Sequence, residues 1–244
     1  MLDVHPAHHA ATTWRDFSIH IATIVLGLLI AVALEQTVEA VRHSTERNEL
    51  IEDFHRECEA NNKMIEANLA IFNVELDRHN GIAGVIRQAR PVNGVVTVVV
   101  PPRQYLADWR LPSHTVWTVA KSNGKAALLP DNLAQLYDRV DLQATEYMRA
   151  LQLSSDADTR LRSVKQRLGT GLAAGETLHL STGDAEDLAN ALSDASAATT
   201  YLENWALNWE AGCEAVLHGV QQRGEMGDYI TEVKARHHFS LYNQ

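Results

Sequence analysis

Residues 17–34, Phe-Ser-Ile-His-Ile-Ala-Thr-Ile-Val-Leu-Gly-Leu-Leu-Ile-Ala-Val-Ala-Leu, contain no Asp, Glu, Lys or Arg. As a helix rising about 1.5 Å per residue they span ~27 Å, enough to cross the hydrocarbon core of a bilayer. Trp14 and Arg15 sit at the near end, where an amphipathic ring and a snorkelling cation belong, and Glu35 closes the far end. No other window approaches this length, so the run is read as a single transmembrane helix.

Two other readings of the run are weaker. Ala31-Val32-Ala33 has the small-x-small form of a cleavage site, but helix formers continue straight through it as Leu34-Glu-Gln-Thr-Val-Glu39. An uncleaved anchor is therefore expected. A core helix of a soluble protein would carry its apolar residues on one stripe, whereas these lie all round. His20 is the one ionisable residue in the run and lies one turn from the interface, with Asp16 four residues back, which favours snorkelling over a proton relay. The flank after the span holds Glu35, Glu39, Glu46, Glu49, Glu52 and Asp53 against Arg42 and Arg47. A short tail inside and an acidic flank outside favour an exported C-terminal domain.

Thr23, Gly27 and Ala31 recur every fourth residue on one face of the span. Small residues at that spacing let two membrane helices approach closely, although Gly and Ala are common in membrane helices generally.

The rest of the chain reads as mainly helical. Residues 35–88 contain no proline, and Phe54, Cys58, Ile65, Leu69, Phe72 and Leu76 fall on one stripe, with Asn61 filling a gap in it. The span is therefore expected to run on unbroken to about Gln88. Arg90-Pro-Val-Asn-Gly94 stops that helix. The β-branched run 95–100 and the alternating run 176–181 are expected to pair as one two-stranded ribbon leaning on helices. Pro112-Ser113 is expected to start a short helix ended by Ser122-Asn123-Gly124. Pro130-Asp131 opens a long helix to about Leu168, with Ser154-Ser155-Asp156 expected to interrupt it and Gly169 to end it. Ser181-Thr-Gly-Asp184 caps a last long helix with a seven-residue repeat: Leu188, Leu192, Ala195, Thr199, Leu202, Trp205 or Ala206, Trp209, Cys213, Val216 and Val220. The expected architecture is a tail over 1–16, a transmembrane helix over 17–34, an antiparallel long-helix bundle over 35–222, and a tail or short helix over 223–244.

Two patches resemble known proteins. One is Trp14-Arg-Asp-Phe followed by Ile21-Ala-Thr-Ile-Val-Leu-Gly-Leu-Leu-Ile-Ala and Leu34-Glu-Gln-Thr-Val-Glu39. The other is Trp117, Ala120, Ser122-Asn-Gly124, Leu128-Leu129 and Tyr137. Together, over about a third of the chain, they resemble uncharacterised bacterial single-pass inner-membrane proteins with an N-terminal anchor and a helical soluble domain. Asn123 departs from the contiguous Ser-Gly of that pattern. The resemblance implies topology and a bacterial inner-membrane location, and it carries over no catalytic residue.

The formal net charge of −10, from 31 acidic and 21 basic residues with no Lys/Arg run, argues against nucleic acid as a partner. A hydrophobic fraction of 45% suits a chain that buries a core. There is no GxSxG elbow, phosphate-binding glycine loop or HExxH pair. His5, His8, His9, His237 and His238 read as solvated tail residues. Catalytic residues, cofactors and metals are accordingly expected to be none. Cys58 and Cys213 make no zinc or CxxC pattern; they read as buried small side chains, or as a disulfide if the domain sits in an oxidising compartment. Trp205 and Trp209 share a face and read as core. With Trp117 they would also be where a ligand sits if the bundle binds one. The expected role is a membrane-anchored assembly or scaffold protein, with membrane lipid and either a second copy or another membrane protein as partners. An extracytoplasmic ligand-sensing bundle is the alternative.

Overall fold

The computed structural model describes residues 13–102, 109–220 and 223–239. Most of the N-terminal tail, with His5, His8 and His9, and the last residues of the C-terminal tail lie outside the described residues. Helix α1 runs Trp14–Gln88, 75 residues without a break, as the absence of proline predicts. Thr13 opens it: its hydroxyl accepts from the Asp16 amide at 3.2 Å and donates to the Asp16 carboxylate at 2.7 Å. Asp16, offered above as a partner for His20, is thus engaged by Thr13. The chain forms two compact units, Met1–Glu49 and Leu50–Gln244.

Within the second unit, β1 (Val95–Val99) follows α1. Then come α2 (Thr115–Ser122), α3 (Asp131–Leu168), β2 (Thr177–Ser181), α4 (Thr182–Leu217) and α5 (Met226–Arg236). The two strands pair antiparallel, with Val96 opposite Leu180 and Val98 opposite Leu178. These four side chains are buried and their strand neighbours exposed, the alternation that pins a register. Val100 extends the ribbon through hydrogen bonds to Glu176 and Gly175.

Side-chain pairs fix the helix directions. Arg167 on α3 meets Asp184 and Asp187 on α4, whereas Tyr147, earlier on α3, meets Trp209, later on α4. Arg87 bonds Ser193 at 2.6 Å and Asn80 bonds Ser196 at 2.8 Å, so α4 also runs antiparallel to α1. Phe54 on α1 stacks on Tyr137 of α3 at 4.0 Å between ring centroids, and His79 further along interacts with Asp158 further along. Helices α1 and α3 are therefore parallel to each other. The link between them makes this possible, because it carries the chain back along α1. Arg110 lies at Asn68, Ser113 at Asn61 and Thr115 at Glu57.

The buried apolar residues form two clusters. One holds Phe54, Ile65, Trp117, Tyr137, Tyr147, Trp209 and the face of α5. The other holds Ile82, the ribbon, Leu161, Leu188 and Leu192. Between them lies a polar layer: His79 on α1, and Ser196, Thr199 and Thr200 on α4, all buried. The hydroxyls of Thr199 and Thr200 bond back to carbonyls one turn earlier.

Three local expectations differ from the structure. Ser154-Ser155-Asp156 does not interrupt α3. These residues are mildly unfavourable in a helix, a cost the buried stripe on either side overrides, and Asp156 accepts from Gln152 at 2.9 Å within the helix. Helix α2 begins at Thr115 rather than near Pro112, because the backbone of 110–113 is occupied by asparagine side chains. His237, taken as part of a solvated tail, is half-buried at the end of α5, 3.3 Å from Glu210. Gly169 ends α3 in the left-handed region at φ 67°, and Ser181 caps α4 by accepting from the Asp184 amide, as the sequence predicts.

Candidate functional site

The densest convergence of polar and aromatic side chains lies where α1, α2, α3 and α4 meet. On α1, Asn68 takes Arg110 by both main-chain groups: Nδ2 donates to the carbonyl at 2.6 Å and Oδ1 accepts from the amide at 2.9 Å. Asn61 does the same to Ser113, at 2.6 and 2.9 Å. The match is geometric. Seven helical residues advance about 10.5 Å, and three extended residues advance about 10 Å, so asparagines two turns apart meet the backbone of an extended strand three residues apart. One turn earlier, Glu57 caps α2. Its Oε1 accepts from the Ser113 hydroxyl and the Thr115 amide, both at 2.8 Å, and from the Val116 amide at 3.3 Å. A carboxylate at a helix N-terminus satisfies orphan amides and meets the positive end of the helix dipole. The residue at the cap position itself, His114, contributes no side-chain bond.

Below this clamp, Trp117 is 2% exposed and donates from its indole to Asp138 at 2.8 Å. It packs edge-on to Tyr137, and Trp209 tilts against Tyr147 and lies edge-on to His114. Trp117 and Trp209 line one cavity with Cys58, Cys213, His114 and Asp141, and its volume of ≈ 10 Å³ is at the lower limit for holding a single water. Trp205 does not line it. It sits half-buried on α4 against Tyr201, with ring centroids 6.4 Å apart. The three tryptophans therefore do not converge. Thr23, Gly27 and Ala31 are exposed on α1; the Thr23 hydroxyl bonds the Ile19 carbonyl, and a Cβ placed on Gly27 would meet nothing within 4 Å.

Burial pushes the Tyr147 phenol up to about 12 and Tyr137 higher, so neither exchanges a proton near neutrality. Burial also raises the Cys213 thiol well above its usual range, which removes it as a nucleophile. Glu57 has both oxygens committed to the α2 cap. Among the described residues no group of three or more His, Cys, Asp and Glu is placed to hold a metal ion.

A second cluster joins α5 to α4. Glu203 and Glu210 are each 5% exposed and lie two turns apart on α4, facing the α5 end of the chain. Lys234 bonds Asn204 at 2.8 Å, Arg236 forks onto Glu214 at 2.6 and 2.9 Å, and His237 reaches Glu210. Burial pushes Glu203 up to about 7, opposed by His237, and raises Glu210 as well. Sequence reasoning missed this cluster. The signal was present in two glutamates seven residues apart within the apolar repeat of α4. It missed Glu57 and Asn68 for a different reason, since the partners of Asn68 at Arg110, and the amides of Thr115 and Val116 that Glu57 holds, are main-chain groups that carry no side-chain signature.

Comparison with family models, curated proteins and solved structures finds no match to this chain.

Proposed function

We propose that the chain is a membrane-anchored helical assembly or scaffold protein. In this reading residues 17–34 hold it in a bacterial inner membrane, and the bundle is displayed on the periplasmic side to a second copy or to another membrane protein. The observation that carries the reading is in α1. Its apolar window has a mean hydropathy of 2.5 and none of that window is buried, yet the same helix goes on to supply core residues from Leu50 onwards. A core helix of a soluble protein would have its apolar window covered. The filled core supports the reading too. Aromatic rings and clamped backbone occupy the space between Trp117 and Trp209 where a ligand would sit. The ligand-sensing alternative needs Trp117, Trp205 and Trp209 around a cavity of ligand size, and Trp117 and Trp209 share room for about one water.

Alkaline carbonate extraction of membranes tests the anchor. The full-length chain is expected in the pellet. Release into the supernatant, or recovery of a mature form starting near Leu34, would sink the proposal. Proximity crosslinking in the same membranes then identifies whether a second copy or a different protein is captured.

A further inference from the structure

We propose that Cys58 and Cys213 form a disulfide that staples α1 to α4 in the exported domain. Cys58 and Cys213 are 2% and 0% exposed and belong to one apolar cluster, 155 positions apart in sequence. Both are free, buried thiols in this structure, and they line the same water-sized cavity. Gly212, next to Cys213, lets α4 lie close against Gln143 and Val140 of α3.

Two thiols lose their hydrogens and one S–S bond forms. The two electrons and two protons pass to a disulfide oxidant, a dithiol–disulfide oxidoreductase of the oxidising compartment, whose own S–S bond opens to two thiols. The exchange must precede closure of the core. In the folded chain both sulfurs are shielded from solvent, and burial disfavours the Cys213 thiolate. The same shielding then protects the finished bond from reductants. Closing so long a loop is where a cross-link restricts the unfolded chain most.

The inference rests on the exported-domain reading, and the test separates the two. Native membranes carrying the full-length chain are quenched in acid, denatured and treated with a mass-tagged maleimide before or after reduction. Single Cys58→Ala and Cys213→Ala variants assign the tags. Protease added from the extracytoplasmic side reports where the bundle lies. The expected result is no tag before reduction and two after, with the bundle accessible. Two tags before reduction on an accessible bundle overturn the disulfide and leave the export reading standing. Two tags on a shielded bundle overturn both. No tag on a shielded bundle supports the disulfide and overturns export. A chain linked to a second copy, migrating as a dimer until reduced, overturns the intramolecular pair.

Discussion

Asn68 binds Arg110 as one strand binds another, donating to its carbonyl and accepting from its amide. Asn61 repeats the contact on Ser113 two helical turns away. The side chains of α1 thus act as a template for an extended segment, pairing main-chain groups of Arg110 and Ser113 that no strand pairs. That segment returns the chain to where α3 begins, so the parallel arrangement of α1 and α3 depends on it.

Replacing Asn68 by Ala should therefore cost more than the loss of one side chain. It strands an amide and a carbonyl of Arg110, at about 1–3 kcal/mol. Urea unfolding of Asn68→Ala, compared with the exposed control Glu66→Ala, checks this; the control should stay within about 0.5 kcal/mol of the parent. Hydrogen exchange at the Arg110 amide should quicken in the same variant. An unchanged midpoint and unchanged exchange would show that the segment is held by Glu57 and by packing alone.

Gly212 should not tolerate a side chain. A Cβ there would collide with Gln143 Oε1 and lie 3.2 Å from Val140 Cγ2. Gln143 is 1% exposed, so its amide has little room to swing away. Gly212→Ala is expected to destabilise by about 1–3 kcal/mol through overpacking. Gln143→Ala in the same chain should return part of that loss. A double-mutant cycle measures the coupling, and simple additivity would show that the clash is not with Gln143.

The three long helices, the ribbon and nearly all of the α4 core were legible because period and composition encode them. Phe54, Leu69, Leu192 and Cys213 declare their burial by spacing alone. Tyr137 is fully buried because it stacks on Phe54 across the bundle, a contact that spacing within α3 does not encode. The α1/α3 direction was not legible either. Periodicity says which face is buried and nothing about the route of the link, which Asn61, Asn68 and Glu57 decide through main-chain contacts. The tryptophan cluster shows the same limit. Trp205 and Trp209 are one turn apart on α4, and the structure sends Trp209 into the core and Trp205 to its edge.

Stability should fall between mildly acidic and neutral pH because of Glu203. Its carboxyl is pushed up to about 7 in the folded protein from an ordinary value of 4.5. The folded state therefore holds a proton in that window that the unfolded chain releases. The contribution is full below 4.5 and is lost as pH rises through 7. Glu210 shifts in the same direction, while His79, lowered by burial, has the opposite slope as the pH rises towards its ordinary 6.5. Comparing Glu203→Gln with the parent removes those shared contributions. The variant should match the parent near pH 4.5 and exceed it by up to about 3 kcal/mol above pH 7, read by urea unfolding across the range. An offset that does not change with pH would mean that Glu203 does not titrate in this window.

The assembly reading makes its sharpest demand on Gly27. A Cβ there meets nothing within 4 Å and the neighbouring residues of the span are exposed, so Gly27→Leu should leave the fold of the soluble bundle unchanged. Any effect must come from a surface that another helix covers. In lipid, association depends on close backbone approach, which Leu at Gly27 would block and Leu at Val25, on another face, would not. The soluble stripe of α1 could hold copies together by itself, so residues 12–40 are best tested alone in a bacterial membrane reporter of self-association. Gly27→Leu should lose most of the signal and Val25→Leu should keep it. If both variants match the parent, the Thr23, Gly27 and Ala31 face is ordinary membrane-helix composition, and any assembly must be carried by the bundle instead.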